Sequence, residues 1–167
     1  QIRDVRKLLD SGIDLLIVSP VDAAALTPVI DEAYARIPVV LLDRSVEGYG
    51  YTLYIGPDNR IVGKQAGQYI AGLLGERGGK VLEIRGRSGS PPVIDRERGF
   101  REAISDVPGI TIVDTITADW LRDKAEDEVT AWFRSHQGAD VIFAQNDAMA
   151  FGAYRARSTY VSSVPAH

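Results

Sequence analysis

The sequence predicts an α/β fold built on parallel sheets, and three observations support this prediction. Short apolar runs rich in Val, Ile and Leu recur along the chain, amphipathic stretches separate them, and turn residues mark their boundaries. Continuous apolar runs are typical of strands that are buried on both faces of a sheet. Strands that alternate with helices form βαβ units, whose crossovers are right-handed.

Each predicted strand and helix follows from its own local pattern. The apolar runs predict strands at 15–18, 39–42, 52–55, 81–84, 110–116 and 141–144. Three helices carry apolar residues at helical spacing: Leu26, Val29, Ile30, Ala33 and Tyr34 in the first; Val62, Ala66, Tyr69, Ile70 and Leu73 in the second; Leu121, Ala125, Val129 and Trp132 in the third. We expect these residues to face the sheets. Asp22 is expected to cap the first of these helices, because its carboxylate can accept a hydrogen bond from the first turn.

The alternation is interrupted once, by a loop at 47–50 and a turn at 56–59. We interpret this segment as a crossover between two α/β lobes. The first lobe is predicted to cover residues 1–56 and the second lobe residues 57–157.

The composition disfavours several classes of function. The chain has 167 residues, of which 45% are hydrophobic and 25% charged, enough for one domain or two small ones. Its net charge is −4 at pH 7, whereas nucleic-acid-binding domains typically carry a basic patch or a high pI, and the sequence shows neither. No apolar run reaches the roughly 18 residues that a membrane-spanning helix needs. The absence of cysteine excludes disulfides and thiolate metal sites.

Residue patterns typical of enzymes are also missing from the sequence. Its two histidines, His136 and His167, suggest neither a metal-ligand set nor a catalytic triad. The loop 86–90 is rich in Gly and Ser and follows a predicted strand, as a phosphate-binding loop does. It lacks the Lys-Ser/Thr ending of such loops and the three-glycine fingerprint of dinucleotide sites. We therefore predict a protein that is not an enzyme and that uses no cofactor and no metal.

Polar and aromatic side chains follow several of the predicted strands, where ligands bind in open parallel sheets. These candidates are Asp43 and Arg44, Arg96 and Arg98, Trp120, and Asn146. A carboxylate accepts hydrogen bonds from two vicinal hydroxyls, and a guanidinium presents a planar fork of donors. An indole face packs against the apolar face of a sugar ring. The set therefore favours a sugar as the ligand.

Each of these residues also has an ordinary structural interpretation. The pair at 43–44 could form a surface ion pair, and the run 95–98 alternates acidic and basic residues as a solvated helix face does. Trp120 could pack at the start of a helix, Asn146 could be a turn residue, and Asp147 could cap the helix that follows it. The shared position after strand ends favours the binding interpretation.

Five segments in order along the chain resemble motifs of the ribose-type periplasmic binding proteins, which share their fold with the ligand domain of LacI-type repressors. The segments are IPVVLLDR at 37–44, the helix that begins at Asp58-Asn59 and carries Gly63, Ala66-Gly67 and Tyr69-Ile70, DRERGF at 95–100, ADW at 118–120, and FAQNDAMAFGA at 143–153. The resemblance covers residues 1–156. It implies a periplasmic binding protein-like I fold with two Rossmann-like lobes and parallel sheets, both incomplete.

The resemblance implies ligand contacts from both lobes. Asp43 and Arg44 would bind sugar hydroxyls from the first lobe, and Arg98 would do so from the second, as in ribose binders. Arg96 lies at the position that resembles the arginine of galactofuranose-type relatives. Because the chain has both arginines, the resemblance does not decide whether the sugar is ribose-, galactose- or galactofuranose-like.

Trp120 would supply the stacking platform for the sugar, and Asn146 would bind one of its hydroxyls. A protein of this type captures a monosaccharide by closing its two lobes, with segments near 55–58 absorbing the bend. The resemblance implies a periplasmic location and delivery of the sugar to the membrane permease of an ABC transporter. It implies neither a nucleic-acid partner nor membrane insertion.

The sequence also departs from the family pattern. The family's first strand and helix are missing before Gln1, and residues 158–167 form an atypical tail. We therefore expect a truncated or frame-altered gene product whose own sugar binding is weak or absent.

Three alternative functions remain open from the sequence. The chain could be the sugar-sensing input domain of a membrane histidine kinase or the ligand domain of a LacI-type repressor. It could also be a flavodoxin-like enzyme that binds phosphate at the loop 86–90.

Overall fold

The structure is a computed structural model that describes residues 1–135 and 138–163. It divides into two compact units. The first contains Gln1–Asp58 and Gly89–Ile94, and the second contains Asn59–Ser88 and the described residues from Asp95 onward. The division thus falls two residues after the lobe boundary predicted from the sequence, and the short segment at 89–94 belongs to the first unit.

The first unit is a three-stranded parallel sheet with two helices. Its elements are α1 (Ile2–Asp10), β1 (Leu16–Val18), α2 (Ala23–Tyr34), β2 (Val39–Leu42) and β3 (Leu53–Ile55). The strand order is β1-β2-β3, and Ile17 pairs with Val40 in the register. Asp22 caps α2 as predicted, since its carboxylate accepts a hydrogen bond of 2.9 Å from the amide of Ala25.

The sheet of the first unit buries only one of its faces among the described residues. Leu16, Val39 and Leu41 pack with α1 and α2 in one core. The alternate positions are exposed apolar side chains, among them Ile17 and Ile55. The prediction that the strands are buried on both faces is therefore wrong for this sheet, because the helices of the unit contribute to the core on one side only.

The second unit is a three-layer α/β/α arrangement. Its elements are α3 (Asn59–Leu74), a single 3₁₀ turn (Gly75–Arg77), β4 (Gly79–Arg85), the part of α4 (Pro91–Ile104) that follows Ile94, β5 (Ile110–Thr117), α5 (Arg122–Ser135), β6 (Val141–Ala144) and α6 (Asp147–Ser163). The strands are parallel in the order β5-β4-β6. The predicted tail at 158–167 continues α6 up to Ser163, and residues 164–167 lie outside the described residues.

Alternation along β4 directs side chains to two cores. Leu82 and Ile84 pack with the apolar faces of α5 and α6. Val81 packs with α3 and α4 in the other core, where the rings of Phe100 and Phe143 stack with centroids 4.3 Å apart. Helices therefore cover this sheet on both sides, as the continuous apolar runs predict.

Helix α3 packs through only part of the face predicted. Ala66 and Ile70 pack in the core as predicted. Val62, Tyr69 and Leu73 are exposed, whereas Gly63 and Gly67 are buried. A Cβ on Gly63 would lie only 2.0 Å from the carbonyl oxygen of Arg96 in α4. The exposed positions were predicted wrongly because a pattern of apolar residues cannot detect a helix contact made by glycine.

We expect Gly63→Ala to destabilise the protein by about 1–3 kcal/mol, because the added methyl group overpacks the contact with the backbone of α4. Gly72→Ala is the matched control on the same helix, where an added Cβ meets no atom within 4 Å. This control should be neutral or stabilising by up to about 1 kcal/mol, since alanine favours helix. Urea unfolding of both variants tests the contact, and equal midpoints would contradict it.

Candidate functional site

The parallel strands of the second unit end at one edge of their sheet. The register pairs Arg85 of β4 with Thr117 of β5, and Ile84 of β4 with Ala144 of β6. The segments that follow these three strands therefore leave the sheet at one level. This is the edge at which open parallel sheets bind ligands.

Trp120 lies in a tight turn at this edge. The amide of Leu121 donates to the carbonyl of Ala118 at 2.8 Å, and both central residues, Asp119 and Trp120, have positive φ, 53° and 70°. These are the φ signs of a type I′ turn, which glycine and asparagine normally supply. A bulky residue in this conformation is an outlier that costs on the order of 1–3 kcal/mol. Such strain is concentrated at functional sites.

The indole of Trp120 lies directly on the backbone of Gly86. A Cβ at position 86 would lie 2.1 Å from the ring, so only glycine leaves room for it. The ring is half-buried, and its Nε1 is buried without a hydrogen-bond partner among the described residues. Buried donors are rarely left unpaired, which distinguishes this side chain from an ordinary packing tryptophan.

Arg96 reaches the same edge from α4. Its Nε donates to Oδ1 of Asn59 at 2.9 Å, and its Nη1 donates to the carbonyl of Gln145. The guanidinium carbon lies 5.6 Å from the centre of the Trp120 ring, within the range of a cation–π contact. The guanidinium is thus fixed through two of its three nitrogens, Nε and Nη1, and is held beside the indole.

Asn146 completes the group and also begins α6. Its Oδ1 accepts a hydrogen bond of 2.9 Å from the amide of Met149, and its Nδ2 lies 3.4 Å from the carbonyl of Trp120. The cap of α6 is therefore Asn146, and the interpretation of Asp147 as the cap is wrong: α6 already begins at Asp147. We call Arg96, Trp120 and Asn146 the strand-end cluster.

The structure does not bring Arg98 to the strand-end cluster. Its side chain is 64% exposed, and its Nε lies 3.1 Å from Oε1 of Glu102 one helical turn later. Residues two apart on a helix point to nearly opposite sides, so Arg96 and Arg98 cannot share one face of α4. Glu102 also accepts two hydrogen bonds from Arg60, and these are the main cause of its lowered pKa.

In the first unit, Asp43 and Arg44 follow β2 as predicted. Asp43 has a φ of 63°, with its amide donating to Ile55 and its carbonyl accepting from the hydroxyl of Tyr54. Its carboxylate is 66% exposed and lies 3.7 Å from Nε of Arg44, so the ion pair considered from the sequence is present. The same Nε is buried and makes no hydrogen bond among the described residues.

Two buried polar residues behind the cluster were not among the site residues predicted from the sequence. Glu83 is fully buried in β4, and Gln145 is 4% exposed. Oε2 of Glu83 accepts from Arg101 at 3.0 Å, and Oε1 accepts from Nε2 of Gln145 at 3.2 Å. Burial raises the pKa of Glu83, and the positive charge of Arg101 opposes the rise. The signal in the sequence was a glutamate inside the apolar run 81–84.

A cavity of about 600 Å³ opens next to this edge, at the beginnings of α5 and α6. Its lining residues are Leu121, Arg122, Asp123, Lys124, Asp147, Ala148 and Phe151. None of the three residues of the strand-end cluster lines it. Its position is therefore not evidence for the cluster as a ligand site.

The described part of the chain contains no group of three or more His, Cys, Asp or Glu side chains placed to hold a metal ion. His136 and His167, which were considered from the sequence, lie outside the described residues. None of the described helices combines the length and the apolar character needed to cross a bilayer.

Comparison with known proteins gives one family. A family model described as a periplasmic binding protein domain matches residues 1–159. The galactofuranose-binding protein YtfQ of Escherichia coli is 33% identical over 163 residues, which cover 93% of this chain and 51% of that protein. The ribose import binding protein RbsB of Salmonella typhimurium is 34% identical over 160 residues, covering 95% and 53%. The chain thus spans about half the length of the curated relatives it matches.

Solved structures show the same likeness. The fructose-binding periplasmic domain of a hybrid two-component system matches with a TM-score of 0.90 and 42% sequence identity, over 96% of this chain and 53% of that one. These matches confirm the predicted fold class and the resemblance stated from the sequence motifs.

The raised pKa of Glu83 predicts a pH-dependent stability that Glu83→Gln removes. Since the folded-state pKa lies above the ordinary value of 4.5, the stabilisation is fully present below pH 4.5 and is lost as the pH rises through the folded-state pKa. The free energy of unfolding of the wild type, minus that of Glu83→Gln, should therefore fall between pH 4.5 and neutral pH. Urea titrations at fixed ionic strength measure this difference.

Glu102→Gln serves as the control of opposite sign. Because the pKa of Glu102 is lowered, its stabilisation is present above pH 4.5 and is lost as the pH falls through the folded-state pKa. A wild-type-minus-Glu83→Gln difference that stays flat or rises toward neutral pH would contradict the assignment of Glu83.

Proposed function

Since the chain belongs to the periplasmic binding protein domain family, we propose that the protein captures a monosaccharide. The observation that carries this proposal is the strand-end cluster, which combines a fixed guanidinium, an indole in a strained turn and a side-chain amide at one sheet edge. The relatives reported above are named for binding galactofuranose, ribose and fructose, and none of the three names describes a catalytic activity.

The chemistry of the cluster suits a sugar hydroxyl face. A guanidinium presents a planar fork of N–H donors, and that of Arg96 is held beside the indole of Trp120. The amide nitrogen of Asn146 carries two N–H groups, of which its contact with the carbonyl of Trp120 engages one. The indole adds an apolar surface and a buried Nε1 donor. A few oriented polar groups beside an aromatic ring are typical of small-molecule sites.

We extend the proposal to Asp43 and Arg44 of the first unit. The exposed carboxylate of Asp43 can accept hydrogen bonds from two vicinal hydroxyls, and the backbone strain at Asp43 supports a functional role. That the same sugar contacts residues of both units remains a prediction from the sequence motifs. Arg98 stands outside the proposed ligand set because its guanidinium is paired with Glu102.

We propose a ribose-, galactose- or galactofuranose-like sugar, and add fructose because the solved structure described above is a fructose-binding domain. The sugar would be taken up in the periplasm and passed to the membrane permease of an ABC transporter, as the import function in the name of one relative suggests. A second role, ligand input to a sensor kinase, is favoured by the 42% identity to a two-component system domain.

Removing Arg96 should weaken sugar binding by about tenfold to a hundredfold, because hydrogen bonds to charged groups contribute roughly 1.5–3 kcal/mol. Ligand-observed NMR with a panel of ribose, galactose, galactofuranose and fructose at millimolar concentration detects even weak complexes. Arg98→Ala, two residues away on the same helix, is the matched control and should change affinity by less than about threefold. Equal losses in the two variants would refute the assignment of Arg96. The absence of binding to any sugar would refute the proposed function and would agree with the weak or absent binding expected from the departures of the sequence.

Trp120→Ala should weaken the same complex by about 1–3 kcal/mol through lost contact with the sugar ring. Trp132→Phe is the control, since Trp132 lies on the buried face of α5 and its Nε1 donates to Asp114. A sugar-induced change in tryptophan emission should persist in Trp132→Phe and disappear in Trp120→Phe. The reverse pattern would place the ligand elsewhere.

A further inference from the structure

Gln145 connects the supports of both Arg96 and Trp120. Its amide donates to the carbonyl of Ile84 at 3.0 Å, which continues the ladder between β6 and β4. Its own carbonyl accepts from Nη1 of Arg96. Its side-chain Oε1 accepts from the amide of Gly86 at 3.3 Å, directly below the Trp120 ring. One buried residue thus contacts the arginine and the backbone on which the indole rests.

The side-chain amide of Gln145 has a single allowed orientation. The ionised carboxylate of Glu83 can only accept hydrogen bonds, so it must face Nε2 of Gln145. The amide of Gly86 can only donate, so it must face Oε1. Glu83 is held in turn by Arg101. The charge of Glu83 therefore fixes Gln145, and Gln145 fixes the loop that follows β4.

We propose that Gln145 is a positioning residue of the sugar site, which sets the separation between the guanidinium of Arg96 and the indole of Trp120. This inference rests on the proposed function. Gln145 is too buried to contact a ligand directly. Each of its polar groups forms a hydrogen bond with β4, Gly86 or Arg96. Its effect on affinity therefore passes through the strand-end cluster.

The first test needs no sugar. In a Trp132→Phe background, in which Trp120 is the single tryptophan, Gln145→Leu should shift the emission maximum of Trp120 and increase its quenching by acrylamide. Gln68→Leu makes the same substitution at an exposed position of α3 and should leave both signals unchanged. Unchanged emission and quenching in a folded Gln145→Leu protein would overturn the proposal.

The second test is a double-mutant cycle on sugar binding. Gln145→Leu alone should weaken binding by about tenfold, and by less than about threefold when Trp120 is already alanine, because the side chain of Gln145 supports the Gly86 backbone under that ring. A residue that only stabilises the fold would give the same loss in both backgrounds, and that result would overturn the proposal. If the wild type binds no sugar, the proposed function fails, whereas the emission test still decides whether Gln145 positions Trp120.

Gln145→Glu keeps the inference testable if Gln145→Leu does not fold. Two facing carboxylates cannot both ionise without repulsion, so they share a proton at low pH. The protonated pair reproduces the donor toward Glu83 and the acceptor toward Gly86. In the Trp132→Phe background, the emission of Trp120 in Gln145→Glu should match that of the protein that keeps Gln145 at pH 5 and should differ from it at pH 8. The change should reverse when the pH is returned. Emission that is independent of pH across this range would contradict the proposed role.

Discussion

A carboxylate buried in the central strand of a sheet must be neutralised or hydrogen-bonded, and the second unit is organised around this requirement. Glu83 lies in β4 and points to the side covered by α4, where Arg101 supplies the charge. The remaining oxygen requires a donor, which Gln145 provides from the position directly after β6. Because Gln145 is the residue before Asn146, satisfying Glu83 also fixes the beginning of α6. A core requirement thus determines where the residues of the candidate site lie.

The close contact of α3 with α4 acts on the same site from the other side. Because Gly63 has no side chain, the two helices approach so closely that a Cβ at this position would lie 2.0 Å from the carbonyl oxygen of Arg96. This approach brings Asn59, in the first turn of α3, within hydrogen-bonding distance of the Arg96 guanidinium. A longer side chain at position 63 would separate the helices and remove that partner. The arginine is therefore oriented by backbone packing as well as by Gln145.

Much of the fold could be predicted from the sequence, because buried parallel strands leave continuous apolar runs. The strands at 39–42 and 141–144 have the predicted bounds. Each of the other four strands differs from its predicted bounds by one to three residues, both ends counted together. The contact face of α3 could not be predicted in this way, since Gly63 and Gly67 carry no apolar side chain. The cap of α6 was ambiguous because Asn146 and Asp147 are both good capping residues, and only the backbone decides between them.

The sequence alone does not decide whether Arg96 or Arg98 belongs to the candidate site, because the decision depends on contacts in the folded chain. Both arginines lie in one short motif, and sequence resemblance associates each with a different sugar. On a helix they face opposite sides, and the neighbours decide: Arg98 meets Glu102 within its own helix, whereas Arg96 meets an indole, an amide and a strand-end carbonyl. The strain at Trp120 lies in the same place. An unfavourable backbone, an oriented cation and a buried donor without a partner among the described residues coincide at the edge where the strands of the second unit end. A hydrophobic core does not require that combination.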